Sequence, residues 1–445
     1  MKSQLSLASV VLLALLSGLL ARIASAGSAT WNQNATSGDW NDPANWTPAT
    51  VPNGPNDTAT FDVSNITNVS LSATTELNGI AFNPGASAFT ITANPTSPLT
   101  LGGVGITNNS GVQQEFAAGV NASGDAGAIT FSHGASAGGQ TKLMSLGGTA
   151  SGALGGVVAL FDDSDAATAS LVGVGGTNGG EGGRIEFRDS STADLARPHL
   201  SGNGRLDISQ HQGGLTIGSL SGAGLVDLGS ETLLVGRNNR NRTFAGVIDD
   251  GDSGSGSLTK IGSGKLRLSG ANTYGGGTTL VDGALVVNNT TGSGTGTGNV
   301  TVLGGYLGGS GVIAGSVTLG TQNTSWLAPG EGGQGTATLT VQGSITFDSN
   351  SQYQWRVSTI TKEGDTLVAN GVTIRGGNSF FGIQLGDGPL PMGKVYIVIN
   401  NTSSKPIAGV FSNMPEGSGL GFGSHNYSVT YRGGDGNDLA LTVVN

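Results

Sequence analysis

Short runs of alternating apolar and polar residues recur along most of this chain, separated by turns rich in Gly, Ser and Asn. Alternation with a period of two, built from β-branched and aliphatic residues, is typical of half-buried strands. No comparable helical periodicity occurs after the first 26 residues. The chain is therefore predicted to be all-β, with clear strand candidates at 214–217, 225–228, 232–235, 244–248, 265–268, 278–281, 284–287, 300–303 and 317–319.

The links between several of these strands are too short for a helical crossover, which excludes parallel strands in one open sheet. An antiparallel sandwich or barrel remains, as does a β-solenoid in which each strand stacks on its equivalent in the next coil. The solenoid accounts better for the Gly- and Asn-rich turns, because its corners need the positive φ angles that these residues adopt. We therefore predict a right-handed parallel β-helix (β-solenoid) with β-rich N- and C-terminal caps. Coils of ~20 residues stacked ~4.8 Å apart give a rod of roughly 100 Å.

Composition supports this fold and narrows the function. Glycine makes up 80 of the 445 residues and charged residues only 11%, against roughly 7% and 25% in ordinary proteins. Stacking like residues on like penalises charge, so both deviations are expected of a solenoid. The absence of Cys excludes Cys nucleophiles, Cys-based zinc sites and iron–sulfur clusters. A net charge of −10 argues against nucleic acid and anionic membranes as partners.

The first 26 residues have the pattern of a secretory signal. Lys2 precedes an apolar run over 5–20, and Ala24-Ser25-Ala26 offers a small-residue cleavage site. That run is short for a membrane span, and no later stretch is apolar enough, so no transmembrane segment is expected in the mature chain. The predicted regions are a signal peptide (1–26), a Trp/Pro-rich N-terminal β module or cap (27–95), a Gly-rich solenoid body (96–345) and a C-terminal β cap region (346–445).

One segment carries a family resemblance. The run GSLTKIGSGKLRLSGANTYGGGTT at 256–279 is followed by DGALVVNN at 282–289, a Gly-Ser-Gly-Thr-Gly-Thr-Gly stretch at 292–298, LGGSG at 307–311 and LAPG at 327–330. In order and spacing it closely resembles the autotransporter-associated β-strand repeat (passenger-associated transport repeat), over about 254–319. The resemblance implies a bacterial β-helical passenger whose repeat assists export and forms a stiff extracellular stalk.

Weaker likeness to such secreted proteins extends over 39–59 and 409–439. Autotransporters also carry a C-terminal translocator that closes as an outer-membrane barrel. This sequence ends at Val443-Val444-Asn445, directly after the passenger-like end, and we expect it to lack that barrel. A separate exporter, a periplasmic location or non-covalent attachment to the surface is then expected.

Several short segments resemble catalytic or metal-binding motifs. Gly134-Ala135-Ser136-Ala137-Gly138, beside His133, fits a nucleophile elbow, which works only on a strand–turn–helix. Gly251-Asp252-Ser253-Gly254 is similar to a serine-protease nucleophile loop, yet the four His residues lie in no matching context. The string 433–438 matches the start of a calcium-binding β-roll repeat, but a single copy cannot supply the ligands. We interpret all three as turns.

Two acidic clusters, at 162–165 and 249–252, could hold calcium or act in glycoside or uronate chemistry. Arg237, Arg240 and Arg242 lie close in sequence to the second cluster, with no sign that they share its face, and solvated loops are the favoured interpretation. Trp31, Trp40 and Trp46 could stack on sugar rings, but buried cap residues are favoured because Trp carries a large apolar surface.

The sequence thus predicts an exported, non-enzymatic structural or adhesin-like β-helix protein, secreted or at the cell surface, with the periplasm as a further possibility. We assign no catalytic, cofactor-binding or metal-ligating residue and expect no cofactor. Partners would be surface or matrix polysaccharide or outer-membrane components. The alternative is an extracellular carbohydrate-active β-helix protein, either a polysaccharide lyase or hydrolase or a glycan binder.

Overall fold

The computed structural model describes residues 27–252, 254–331 and 335–445, so the predicted signal peptide and Ser253 lie outside the described residues. Within them the chain forms 40 strands and one 3-10 turn, Pro43–Asn45. No helix in this part of the protein is long and apolar enough to cross a lipid bilayer.

The strands of the N-terminal half are separated by turns and loops of about two to fourteen residues. In chain order they are β1 (Ala29–Trp31), β2 (Trp46–Thr47), β3 (Gly54–Phe61), β4 (Asn68–Leu71), β5 (Thr75–Phe82), β6 (Thr90–Ala93), β7 (Leu99–Asn108), β8 (Gln114–Ala118), β9 (Ala128–Phe131), β10 (Thr141–Ser145), β11 (Val157–Leu160), β12 (Ser170–Gly173), β13 (Arg184–Phe187), β14 (Arg197–Leu200), β15 (Arg205–Asp207), β16 (Leu215–Ile217), β17 (Ser221–Gly222), β18 (Leu225–Asp227), β19 (Thr232–Val235), β20 (Arg242–Phe244) and β21 (Val247–Asp249).

The C-terminal half continues the same pattern and ends in longer strands. These are β22 (Ser257–Lys260), β23 (Lys265–Leu268), β24 (Thr278–Leu280), β25 (Ala284–Val287), β26 (Val300–Val302), β27 (Gly305–Gly309), β28 (Val312–Ile313), β29 (Val317–Leu319), β30 (Ser325–Pro329), β31 (Thr338–Val341), β32 (Ile345–Phe347), β33 (Ser351–Ser358), β34 (Thr366–Ala369), β35 (Val372–Ile374), β36 (Ser379–Leu385), β37 (Val395–Asn401), β38 (Gly419–Phe422), β39 (His425–Gly433) and β40 (Asp438–Val443).

These strands form a parallel β-solenoid, as predicted. A 14-stranded parallel sheet runs from β4 to β36 and receives one strand from each coil, which corresponds to about 13 turns of chain. An 11-stranded sheet from β1 and β2 to β21 forms a second face of the N-terminal half. An 8-stranded sheet beginning at β16 and a 7-stranded sheet beginning at β28 form the other faces of the C-terminal half. The ladders of β5 with β7 and of β30 with β33 are continuous across residues 95 and 345.

The rod is shorter than the sequence estimate. Paired residues of neighbouring coils are 28 positions apart between Leu143 and Leu171, but only 19 apart between Leu266 and Leu285. The assumed coil of ~20 residues therefore fits only part of the rod. Thirteen intervals of about 4.8 Å give a length of about 60 Å rather than 100 Å.

Stacked columns of like residues form the core. In the 11-stranded sheet one inward column is apolar in six consecutive coils, and each of its members is 0% exposed: Ile129, Val158, Ile185, Leu206, Val226 and Ile248. Glycines form a column of their own at one corner, where Gly224, Gly246 and Gly270 follow one another. A Cβ atom on Gly246 or Gly270 would overlap the carbonyl oxygen of the preceding glycine, so these corners accept no side chain.

The N-terminal end is closed by tryptophans. Trp31, Trp40 and Trp46 are at most 2% exposed, and the Trp46 ring centroid lies 5.0 Å from that of Trp31 and 4.9 Å from that of Trp40. Phe61 continues the cluster into the core. Each indole N–H donates to a backbone carbonyl, for example Trp40 Nε1 to Pro52 O at 3.0 Å. The prediction of buried cap residues is confirmed, and sugar stacking on these rings is excluded.

The C-terminal end is closed by an antiparallel meander. β37 pairs in parallel with β34 on one side and antiparallel with β40 on the other, and β39 and β38 follow. Beneath it lies a buried ion pair, in which Arg356 Nε donates to Asp365 Oδ2 at 2.8 Å and the side chains are 3% and 0% exposed. In the 7-stranded sheet β37 is the last strand of the parallel ladder, and its outer edge is paired with β40 rather than left free.

A second buried cation lies in the middle of the rod. Lys260 is 1% exposed, and its Nζ donates to the carbonyl oxygens of Ile261 and Gly262, both at 2.7 Å, and of Asp282 at 3.2 Å. Burial lowers the pKa of Lys260 from near 10.5 to about 8, and the charge of Asp282 opposes this shift. The ammonium group therefore joins two neighbouring coils but is costly to desolvate.

Replacing Trp40 with Ala should destabilise the N-terminal cap by about 3–5 kcal/mol, because it removes a large, fully buried ring and leaves a cavity. Hydrogen exchange should show lost protection first in β3 and β5, since each coil contacts only its neighbours. Trp326→Ala, at a partly exposed position on the outer surface, is the matched control and should cost less than about 1 kcal/mol. Equal losses for the two variants would contradict the cap assignment.

The stability of the protein relative to a Lys260→Met variant should depend on pH. The folded pKa lies below the unfolded one, so between pH 8 and 10.5 the unfolded chain binds more protons and the native protein gains stability as the pH rises. After allowance for solvent screening, the gain relative to Lys260→Met should be about 1–2 kcal/mol. Denaturant titrations of both proteins at pH 7 and pH 10.5 measure it, and a difference that stays constant with pH would refute the assignment.

Candidate functional site

The first acidic cluster lies at a corner of the solenoid. Asp162 has a φ of 52°, and His133 and Asp189, its equivalents in the adjacent coils, both have a φ of 51°. Asp162 Oδ2 accepts from the backbone N–H of His133 at 3.3 Å, and the Asp162 N–H donates to Asp189 Oδ2 at 3.3 Å. Asp and His tolerate this left-handed conformation better than most residues. The carboxylate of Asp162 thus supports the corner, while that of Asp163 is exposed.

The second acidic cluster differs from the prediction. Asp250 is 5% exposed, and its Oδ2 accepts from the N–H groups of Gly275 at 2.8 Å and Gly256 at 3.2 Å. The prediction of a solvated loop is therefore wrong for Asp250, which links one coil to the next, although Asp252 is exposed. Burial raises the pKa of the neighbouring Asp249 carboxyl, and the charge of Asp227 contributes in the same direction.

The two clusters do not meet. Asp162 follows β11 and Asp249 ends β21, which lies four strands further along the same sheet. Four intervals place the clusters about 19 Å apart along the rod, whereas the carboxyl pairs of glycoside hydrolases are separated by about 5–9.5 Å. Arg242 belongs to the 14-stranded sheet and Asp249 to the 11-stranded one, so that arginine and that acid lie on different faces.

The strings similar to nucleophile motifs are turns. Ser136 lies in a parallel bridge between coils, and its Oγ accepts from the N–H of Gly138 at 3.2 Å. Nearby, His133 Nδ1 is 3.1 Å from Ser132 Oγ and His133 Nε2 is 3.8 Å from Asp162 Oδ2. The His133 side chain is 77% exposed, and the second distance is too long for a hydrogen bond that would orient the ring. Ser253 of the protease-like string lies outside the described residues.

The glycine- and aspartate-rich string at 433–438 is the turn of the hairpin between β39 and β40. Gly433 and Asp438 pair across that antiparallel hairpin, and Asp438 Oδ1 accepts from the N–H of Asn401 at 2.8 Å. The interpretation as a turn is confirmed. In the part of the chain that the structure describes, no three His, Asp or Glu side chains are grouped so that they could hold a metal ion.

The 14-stranded sheet carries a surface that the sequence did not reveal. Arg197 begins β14, Arg242 begins β20, and Lys265 and Arg267 lie on β23, with Arg240 in the turn before β20. We call these five residues the cationic cleft. An open cavity of about 380 Å³ lies here, lined by Asn241, Arg242, Thr243, Lys265 and Arg267.

An aromatic strip follows on the same sheet. Tyr306 of β27 and Trp326 of β30 are register neighbours, and Trp326 lies 5.1 Å from the exposed ring of Phe381 on β36. The sequence signal for both surfaces was weak, because their members are isolated residues in successive strands. In the solenoid, residues that are about 20 or more positions apart in sequence become neighbours in adjacent coils. Tyr306 and Trp326, for example, are 20 positions apart and pair directly.

The comparison with known proteins agrees with the resemblance. A family model for the passenger-associated transport repeat matches residues 258–287, which span β22 to β25. Over 109 residues the chain is 38% identical to the adhesin BmaC autotransporter of Brucella suis biovar 1 (strain 1330), covering 23% of this chain and 3% of that protein. Over 166 residues it is 29% identical to an extracellular serine protease of Serratia marcescens, covering 36% of this chain and 15% of that protein.

The chain therefore spans only a small part of the length of these relatives. Among solved structures, the Haemophilus influenzae Hap adhesin aligns with 12% identity and a TM-score of 0.35, over 88% of this chain and 46% of that chain. The repeat that the sequence indicates over about 254–319 contains the matched segment, whose four strands occupy consecutive positions in the 14- and 8-stranded sheets. The chain is therefore a β-solenoid with a segment that matches the passenger-associated transport repeat, and over part of its length it is similar to an autotransporter adhesin.

Proposed function

We propose that this protein is an exported, adhesin-like β-helix stalk that acts at the cell surface or in the extracellular matrix and has no catalytic activity. The observation that carries the proposal is the transport repeat at 258–287, which is built into the middle of the solenoid. The 38% identity to an autotransporter adhesin supports the same role.

A stalk needs stiffness along its axis, and the ladder of strands supplies it. In the 14-stranded sheet, every strand between the two edges is hydrogen-bonded to the coil before and the coil after it. Bending the rod sharply would break several of these bonds together. Surface or matrix polysaccharide and outer-membrane components are the partners we propose for such a stalk.

Catalysis is not part of the proposal. One relative is an extracellular serine protease, but Ser132, His133 and Asp162 lack the hydrogen bond that would orient the imidazole. The separation of about 19 Å between the acidic clusters likewise removes the support for a polysaccharide lyase or hydrolase built on them.

Export is tested by expressing the full chain in a Gram-negative host, beside a variant that lacks residues 1–26. The full chain should be recovered from the medium, the cell surface or the periplasm, and the truncated variant from the cytoplasm, because only the former carries the predicted signal. Cell fractionation with cytoplasmic and periplasmic marker proteins measures the distribution. Retention of the full chain in the cytoplasm would contradict the proposal.

The absence of catalysis is tested on the purified protein. Incubation with unfolded casein and with acidic and neutral polysaccharides should release no more product than a sample without protein. If any product forms, the variant Ser132→Ala/His133→Ala and the variant Asp249→Asn/Asp250→Asn locate the source. If one of these variants abolishes product release, the protein is an enzyme and the proposal of a non-catalytic stalk is wrong.

A further inference from the structure

The cationic cleft is unusual in a protein with this composition. The chain has 19 Lys and Arg against 29 Asp and Glu, for a net charge of −10. Five of the basic residues nevertheless gather on one stretch of the 14-stranded sheet. A solenoid stacks neighbouring strands only about 4.8 Å apart, so like charges in adjacent coils repel each other strongly unless something compensates them.

The protein itself compensates only part of this charge. Glu331 forms ion pairs with Arg267 and, at 3.9 Å, with Lys265. Among the described residues, no acidic side chain lies within ion-pair distance of Arg197, Arg240 or Arg242. The residues outside the described ranges, 1–26, 253 and 332–334, contain no Asp or Glu, so no undescribed residue can supply the missing carboxylate.

The three unpaired arginines lie close enough to affect one another. The pKa of Arg197 is lowered first by partial burial and then by the positive charges of Arg240 and Arg242. Such repulsion destabilises the folded protein, and an anion placed between the three guanidinium groups would relieve it. Arginine suits this task because its planar fork binds carboxylate or sulfate groups with two hydrogen bonds.

The shape of the cleft indicates an extended ligand. The strands from β14 through β17 and β20 to β23 are four consecutive members of the sheet, so the charges are spread over about 14 Å along the rod axis. Polar groups lie between them on the same face, since His199 pairs with Ser221 and Thr243 pairs with Arg267 in adjacent strands. A single small anion would contact one end of this line, whereas a polymer with repeated charges and hydroxyl groups matches all of it.

We propose that the cationic cleft formed by Arg197, Arg240, Arg242, Lys265 and Arg267 binds an acidic polysaccharide, with carboxylate or sulfate groups, that runs along the rod. Charge complementarity selects a polyanion, and the hydroxyl and imidazole groups between the cations select a polymer rich in hydroxyl groups. Duplex DNA fits less well, because its outer surface presents phosphate groups but no hydroxyl groups for the polar side chains between the cations. The inference names a partner for the proposed stalk and rests on that function, since such polymers are met outside the cell.

The test is a titration of the purified protein with polygalacturonate, dextran sulfate, neutral dextran and duplex DNA at low and high salt. Binding to one or both acidic polysaccharides is expected, with little binding to neutral dextran or DNA. Affinity should fall at least ~10-fold between 0.05 M and 0.5 M NaCl, because the contacts are exposed to solvent and screened by ions. The carboxylate and sulfate probes distinguish which acidic group the cleft prefers.

The variant Arg197→Gln/Arg240→Gln/Arg242→Gln removes the three unpaired charges and should weaken binding about 10-fold or more at low salt. Its melting temperature should not fall, because these side chains form no ion pair in the folded protein. The matched control, Arg375→Gln/Lys405→Gln/Arg432→Gln, changes the net charge equally at exposed positions of the C-terminal region and should bind like the unchanged protein.

The proposal is overturned if neither acidic polysaccharide binds, if the two triple variants bind alike, or if DNA or neutral dextran binds as tightly as the acidic polysaccharides. Because this assay uses purified protein, it is independent of export. Loss of binding in an exported protein would refute the cleft alone, whereas a cytoplasmic protein that binds would refute the proposed function alone.

Discussion

Backbone hydrogen bonding between successive coils is the constraint from which the other features follow. Each strand of the 14-stranded sheet pairs in register with the next coil, so every side chain has a neighbour of the same orientation about 4.8 Å away on either side. Inward columns are then filled mainly by apolar residues, and corners with a positive φ mainly by residues that accept a left-handed conformation. Charged side chains within the stack are stabilised by partners in the neighbouring coil, as Asp227 is by Arg205 and as the inward Lys260 is by carbonyl groups.

The same constraint makes the two ends of the rod special. A parallel stack always leaves one strand without a partner at each end, and exposed strand edges promote association between chains. Here the ends depart from the repeat in different ways. At the N-terminus, β2 turns back antiparallel to β1 and three tryptophans cover the core. At the C-terminus, β37 changes the pairing from parallel to antiparallel. Large aromatic residues are concentrated at both ends because the end of a column has no next coil to bury it.

Much of the fold could be predicted because alternation and turn residues are local. The predicted runs 265–268 and 284–287 coincide with β23 and β25. Coil length could not be predicted, since loops can lengthen without disturbing the alternation within strands, and the rod is correspondingly shorter than estimated. The burial of Asp250 between coils could not be predicted either, because one of its hydrogen-bond partners, Gly275, is 25 residues away in sequence. The cleft was missed because Arg197 and Arg242 become neighbours only when the coil between them is known to contribute the short strand β17.

The stacking of coils limits the positions at which a solenoid can bind a ligand. Inward and corner positions are committed to the ladder, so outward positions of the strands are where residues can vary without loss of stability. These positions form straight lines parallel to the rod, and any chemistry placed on them is repeated at the spacing of the coils. A surface of this kind is suited to a ligand that is itself linear and repetitive. Four of the five cations of the cleft lie on strands of one sheet, and Arg240 lies in the turn before one of these strands. This is the arrangement that the argument predicts for binding a charged polymer.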